Sequence, residues 1–196
     1  MKPFLALSLL LGLLSGCRSD GEKRVEGTET RTEKNSALMD EMKGAPDWVR
    51  KDCRTWLKKP EVLCAVGSAQ GIEDVSLLRD TAMARARGQL AEAVSVSVRK
   101  IIQDFRDQTR SDGSAVADSH VQAITENATK SVLQGSMMEE SWISPRGTFY
   151  VMVSCPKEQV VGGLGGLSQI PAEMRTFVVD KARAAFDALE AKLGDK

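Results

Sequence analysis

The sequence predicts an α+β fold, a small three-stranded sheet in the order strand-helix-helix-strand-strand, covered by helices and followed by a C-terminal amphipathic helix. Three observations predict it. Glu61-Val-Leu-Cys-Ala-Val-Gly67 is a short apolar run bounded by turn formers, as a buried strand requires. Val75, Leu78, Ala82, Ala86, Leu90, Ala93 or Val94, Val98, Ile101 and Phe105 recur at spacings of three and four, which draws one apolar stripe on a long helix from Asp74 to Phe105. Two further apolar runs, about Ser136 to Ile143 and Thr148 to Cys155, flank Ser144-Pro-Arg-Gly147, a connector suited to a type I turn between hairpin strands.

Each element follows from the chain in order. Met1-Lys-Pro and the apolar stretch Phe4 to Leu14 form an n-region and an h-region. Eleven helical residues at about 1.5 Å each span only half of a bilayer core, so this is a signal sequence and not a membrane span. It closes on Leu14-Ser15-Gly16-Cys17, which closely resembles the lipobox of bacterial lipoprotein signal peptides. That resemblance implies cleavage before Cys17, lipid on its sulfur, and anchoring in a bilayer. Several acyl chains at about 0.8 kcal/mol per buried methylene make such an anchor stable. Arg18 stands where an inner-membrane retention aspartate would be in the lipoproteins of enteric bacteria, so by that resemblance alone the outer membrane of the bacterial cell envelope is implied.

Residues 17–44 read as a lipidated flexible tether. Thirteen of the twenty-seven residues from Arg18 to Gly44 are charged, so the segment has little apolar surface with which to offset its ordering entropy. A short helix around Ser36 to Lys43 is compatible with that reading. The compact domain is expected over residues 45–160. Pro46 favours an extended entry that buries Trp48, with Trp56 and Leu57 adding to the same packing. Ser111-Asp-Gly-Ser114 breaks the long helix. A second helix follows from about Ala115 to Val132, with Ala117, Val121, Ile124, Ala128 and Val132 on its apolar side and Gly135 as a stop signal. In the last strand Phe149, Val151, Val153 and Cys155 share one face, and Tyr150 and Met152 take the other. Pro156 starts a short helical turn.

Residues 161–196 are expected to form a hinge at Gly162-Gly-Leu-Gly-Gly166 and a final helix from Pro171 to Leu193. Glu173 stands in its first turn, where the helix dipole favours an acid. The expected seat for its first half is the Tyr150 and Met152 face of the sheet. Leu189 and Leu193 are expected to be more exposed.

Several of these residues together resemble a known family. Pro46-Asp-Trp48, the run Val66-Gly67-Ser-Ala-x-Gly71, the helix carrying Ala82, Ala86 and Leu90, and Thr148-Phe-Tyr-Val-Met-Val153 resemble the LPP20 family of small bacterial envelope lipoproteins. Their domain is related to the N-terminal domain of the flagellar T-ring assembly protein. The resemblance covers roughly Ala45 to Cys155. It implies a compact α+β domain and an envelope location, and it brings no catalytic residues to carry over.

Candidate chemistry is sparse. Basic and acidic residues number 27 each, so nothing points to nucleic acid, and a single histidine weighs against acid–base and metal chemistry. Three cysteines remain after Cys17, in what the signal sequence makes an oxidising compartment, so at most one internal bridge forms. Cys53–Cys64 is the favoured pair, enclosing a short loop with Pro60. Cys64–Cys155 is the rival, if the two strands pair antiparallel and the sulfurs face. No bridge at all is the third possibility. No metal site and no cofactor is expected, because the cysteines lack ligand spacing and His120 stands alone.

Gly67-Ser-Ala-Gln-Gly71 lies between strand and helix, where phosphate loops occur, but it lacks the P-loop lysine and a third glycine. Glu73 and Asp74 at the helix start would repel phosphate and cap the helix themselves. Ser68 is misplaced for a nucleophile elbow. The expected function is therefore a membrane-anchored structural or interaction module without catalysis, whose partners are the bilayer through acylated Cys17 and an envelope protein. The alternatives are a small-ligand-binding or hydrolytic domain at the Gly67–Gly71 turn, or an accessory of flagellar or cell-wall assembly.

Overall fold

In the computed structural model the described residues are 31–109 and 117–191, with side chains described over 35–109 and 117–187. Cys17, the signal sequence and the first part of the tether lie outside them, as does Leu193; Leu189 lies in a described helix, but its side chain is not described. The elements run α1 (Arg31–Glu41), α2 (Asp47–Arg50), α3 (Cys53–Leu57), β1 (Val62–Ala69), α4 (Val75–Thr109), α5 (Asp118–Gly135), β2 (Met137–Ile143), β3 (Phe149–Pro156), α6 (Lys157–Gly165) and α7 (Ala172–Ala191). The sheet is antiparallel with β3 in the middle, in the order β1-β3-β2. The fold class is the expected one.

β3 is central because both its faces are apolar. Phe149, Val151, Val153 and Cys155 join the main core beneath α4, and Met152 joins a second cluster with Trp48, Cys53, Leu57 and Cys64 on the opposite face. α4 begins after Asp74, whose Oδ1 accepts the Leu77 backbone N–H at 2.9 Å. Its stripe from Leu78 to Phe105 is buried as the spacing predicts, with Val94 and not Ala93 facing inward. Val75 does not join it and is exposed. In α5, Ile124, Ala128 and Val132 are buried, whereas Ala117 sits exposed before the helix.

The structure corrects further expectations. The entry at Ala45–Val49 is not extended: Pro46 alone is extended, and a helical turn follows that buries Trp48. Trp56 points outward and is exposed, since the α3 turn gives its inner face to Cys53 and Leu57. β1 continues through Ala69, so Gly67 is a strand residue paired with Val151, and the turn is confined to residues 70–74 with Gly71 at φ +75°. Gly67 has a packing role. A Cβ there would lie 2.3 Å from Ala86 N and 2.4 Å from Ala82 O, so glycine is what lets α4 rest directly on the strand backbone.

The glycine run is likewise helical and not a hinge. α6 extends to Gly165, and a Cβ on Gly163 would meet Ser131 Oγ at 2.0 Å, so the missing side chain admits α5. Finally, α7 does not seat on the Tyr150 and Met152 face, which α2 and α3 already cover. It packs on α4 and α6, with Met174, Val178, Ala182 and Phe186 buried and the Phe105 and Phe177 rings 5.1 Å apart. The reason is length. Thirty-five residues of α4 run about 52 Å at 1.5 Å per residue, whereas an eight-residue strand covers about 26 Å. The C-terminal half of α4 overhangs the sheet, and α5 and α7 cover it.

The short helix that the tether reading admits around Ser36 to Lys43 is present and starts earlier, as α1 from Arg31 to Glu41. It is not buried as a whole, since Leu38 and Met39 remain exposed. Its end is fastened to the sheet through Glu41.

Candidate functional site

Three sites follow from the sequence: Cys17, the cysteine bridge and the turn after β1. Cys17 lies outside the described residues. The bridge is Cys53–Cys64, with Cα atoms 6.1 Å apart. It pins α3 to β1 beside Trp48, Leu57 and Met152, and so closes the smaller core where too few apolar side chains converge to hold two short helices alone. The rival pairing fails on register. The strands do pair antiparallel, but Cys155 stands opposite Leu63 and Cys64 opposite Ser154. Cys64 and Cys155 therefore occupy opposite faces of the sheet. Cys155 is a buried free thiol, and burial pushes its pKa up to about 11.

Asp52 stands next to this bridge, with a carboxylate oxygen and the two sulfurs within 4.8 Å of one another. Its Oδ2 is buried without a hydrogen-bond partner among the described residues. These three side chains could hold a soft cation only as a dithiol, because thiolates and not disulfide sulfurs are the ligands. Sequence spacing does not reveal this grouping, which arises because the bridge folds Asp52 onto β1.

At the turn, the chain forms an open cleft of about 500 Å³ lined by α1, the end of β1, Arg85 of α4, and the β2–β3 hairpin. Its polar groups largely bind one another. Arg85 Nη1 donates to Ser68 O at 2.7 Å, and the Gln70 amide donates to Arg146 O at 3.4 Å. The Tyr150 hydroxyl donates to Glu41 Oε1 at 3.2 Å. Burial pushes the Glu41 carboxyl up, but the neighbouring polar side chains of Thr148, Ser144 and Tyr150 and the charge of Arg146 outweigh it, leaving the pKa below 4.5, while Oε2 is buried without a hydrogen-bond partner among the described residues. Burial first, then the bond to Glu41 and its charge, raise Tyr150 above 10.0. Glu41 falls within the segment expected as tether, and it is the residue that latches α1 to the sheet. Its signal was available only as a lone acid among many.

His120 lies in the first turn of α5 and does not line this cleft. Glu139 and Glu140 do not act as a pair: the ladder shifts register between Met138 and Glu140, and Glu139 accepts a hydrogen bond from the Ser154 hydroxyl. With this geometry in hand, comparison with known proteins adds two findings. The family model of the LPP20 lipoprotein matches residues 46–155, more than half of the chain. No curated protein matches it.

Proposed function

The chain belongs to the LPP20 lipoprotein family, and from that premise we propose that it works as an interaction module without catalysis, held on the outer membrane by acyl chains on Cys17. Family membership supports the envelope location. The observation that carries the anchor is Leu14-Ser15-Gly16-Cys17, set after an apolar stretch too short to span a bilayer. Fourteen residue steps separate Cys17 from α1, a reach of at most about 50 Å at roughly 3.6 Å per residue. The domain is thus kept within a short distance of the headgroups.

The cleft beside Gly71 favours the second reading, a small-ligand site, by its volume of about 500 Å³. We favour the module because Arg85 and Gln70 are engaged by the backbone carbonyls of Ser68 and Arg146, and Tyr150 by Glu41, the pair that fastens α1; Glu41 Oε2 is the one buried oxygen there without a hydrogen-bond partner among the described residues. The test is Cys17→Ser. The variant should accumulate as unprocessed precursor, take up no labelled palmitate, and leave the outer-membrane fraction. Normal labelling of that variant would overturn the anchor and the location together.

A further inference from the structure

We propose that the outer face of the α4–α5 pair docks a second copy of this chain about a twofold axis, with α4 laid antiparallel on its counterpart. The face is a shallow groove of about 580 Å³ between the two helices. Two contacts fix how the helices sit side by side: Arg106 pairs with Asp118 at 2.9 Å near the connection, and Arg87 donates to Ser136 Oγ at 3.0 Å at the far end. Between them the helices run antiparallel, so Val96 on α4 is level with Ala128 on α5.

The four charges that rim the groove alternate in sign around it. α4 carries Glu92 and then Arg99; α5 carries Glu126 level with Arg99, and Lys130 at the Glu92 end. All four are exposed, and none makes an ion pair among the described residues. A partner of uniform charge would meet as much repulsion as attraction on such a face. A twofold copy does not. A rotation axis crossing both helices at the level of Val96 and Ala128 brings Glu92 opposite the copy's Arg99, and Lys130 opposite the copy's Glu126. One axis position serves both helices, because Val96 lies between Glu92 and Arg99 and Ala128 midway between Glu126 and Lys130. The same axis sets Val96, which is 54% exposed, against itself. It also brings in Leu133, 47% exposed on the groove wall. Val96 at the axis, beside a groove floor of Ser95, Thr125 and Thr129 and between complementary charges, gives an isologous interface both contact and register.

The test is crosslinking of the full-length chain in the cells that make it. Val96→Cys is treated with a short bismaleimide, and adducts are identified by denaturing gel and peptide mass spectrometry. The unsubstituted chain and Val75→Cys, exposed at the start of α4 and far from the axis, are the controls. Cys155 stays silent because it is buried. Val96→Cys should give an adduct of twice the chain mass that neither control gives. Adding Arg99→Glu should reduce that adduct at least tenfold, and adding Glu92→Arg to the same chain should restore it. Circular dichroism on the reversed variants keeps loss of fold distinct from loss of docking. The proposal is overturned by no adduct, by an adduct to a different protein, or by a dimer that ignores the charge reversals.

Discussion

Replacing Gly67 by alanine tests the central contact of the fold. The added Cβ would sit 2.3 Å from Ala86 N and 2.4 Å from Ala82 O, both of them backbone atoms of α4 that no rotamer change can move. Restoring ordinary van der Waals distance means lifting α4 off β1 by about 1 Å, along the face where Leu78, Ala82, Ala86 and Leu90 are buried. Overpacking costs about 1–3 kcal/mol, and backbone against backbone belongs at the upper end. The smaller unfolded-state entropy of alanine offsets only about 0.4–1 kcal/mol of this. We expect a net loss of about 2–3 kcal/mol, which lowers Tm by about 4–12 °C in a fold of roughly 150 residues. Gly162→Ala is the matched control: it is exposed, helical and has open space at its Cβ, so it should gain about 0.5–1 kcal/mol. Thermal unfolding followed by circular dichroism measures both. A Gly67→Ala protein that melts with the wild type, or a Gly162→Ala protein that loses as much, would refute the close-packing argument.

Two further predictions concern the fastenings on the other face of the sheet. Replacing Cys53 and Cys64 together by serine should cost about 2.5–3 kcal/mol in urea unfolding, the loop-closure value for partners eleven residues apart, and a reductant should then change nothing further; an unchanged midpoint would mean that packing alone holds α2 and α3. The Glu41–Tyr150 latch should depend on pH at both ends. Glu41 has a lowered pKa, so its contribution is present above 4.5 and is lost as pH falls through the folded value; Tyr150 has a raised pKa, so its contribution is present below 10.0 and is lost as pH rises through the folded value. Protection of α1 against hydrogen exchange should therefore fall selectively as the pH drops below 4.5, and Tyr150→Phe should lower it at neutral pH. Uniform protection across that range, or exchange in the variant equal to wild type, would remove the latch.

The sequence by itself determined every element whose signal is a period. The stripe of α4 and the two-faced alternation of β3 are consequences of 3.6 and 2 residues per repeat, and both are buried where those periods put them. The family was also legible in local residues from Pro46 to Val153, within the span that the family model matches. The disulfide was favoured by proximity along the chain. Its rival could be dismissed only with the register in hand, since a shift of one residue carries a side chain to the opposite face of a strand.

Tertiary structure decided what the glycines do and where α7 goes. A glycine is compatible with flexibility, a turn or close contact, and only the backbone opposite it selects among them. Gly67 and Gly163 proved to be contacts because Ala82, Ala86 and Ser131 come to rest against them. An amphipathic helix states that it needs a cover and not which cover. α7 took the overhang of α4 because α2 and α3, pinned by Cys53–Cys64, had already filled the other face of the sheet. That choice depends on surfaces distant in sequence competing for the same apolar stripe, which no local pattern encodes.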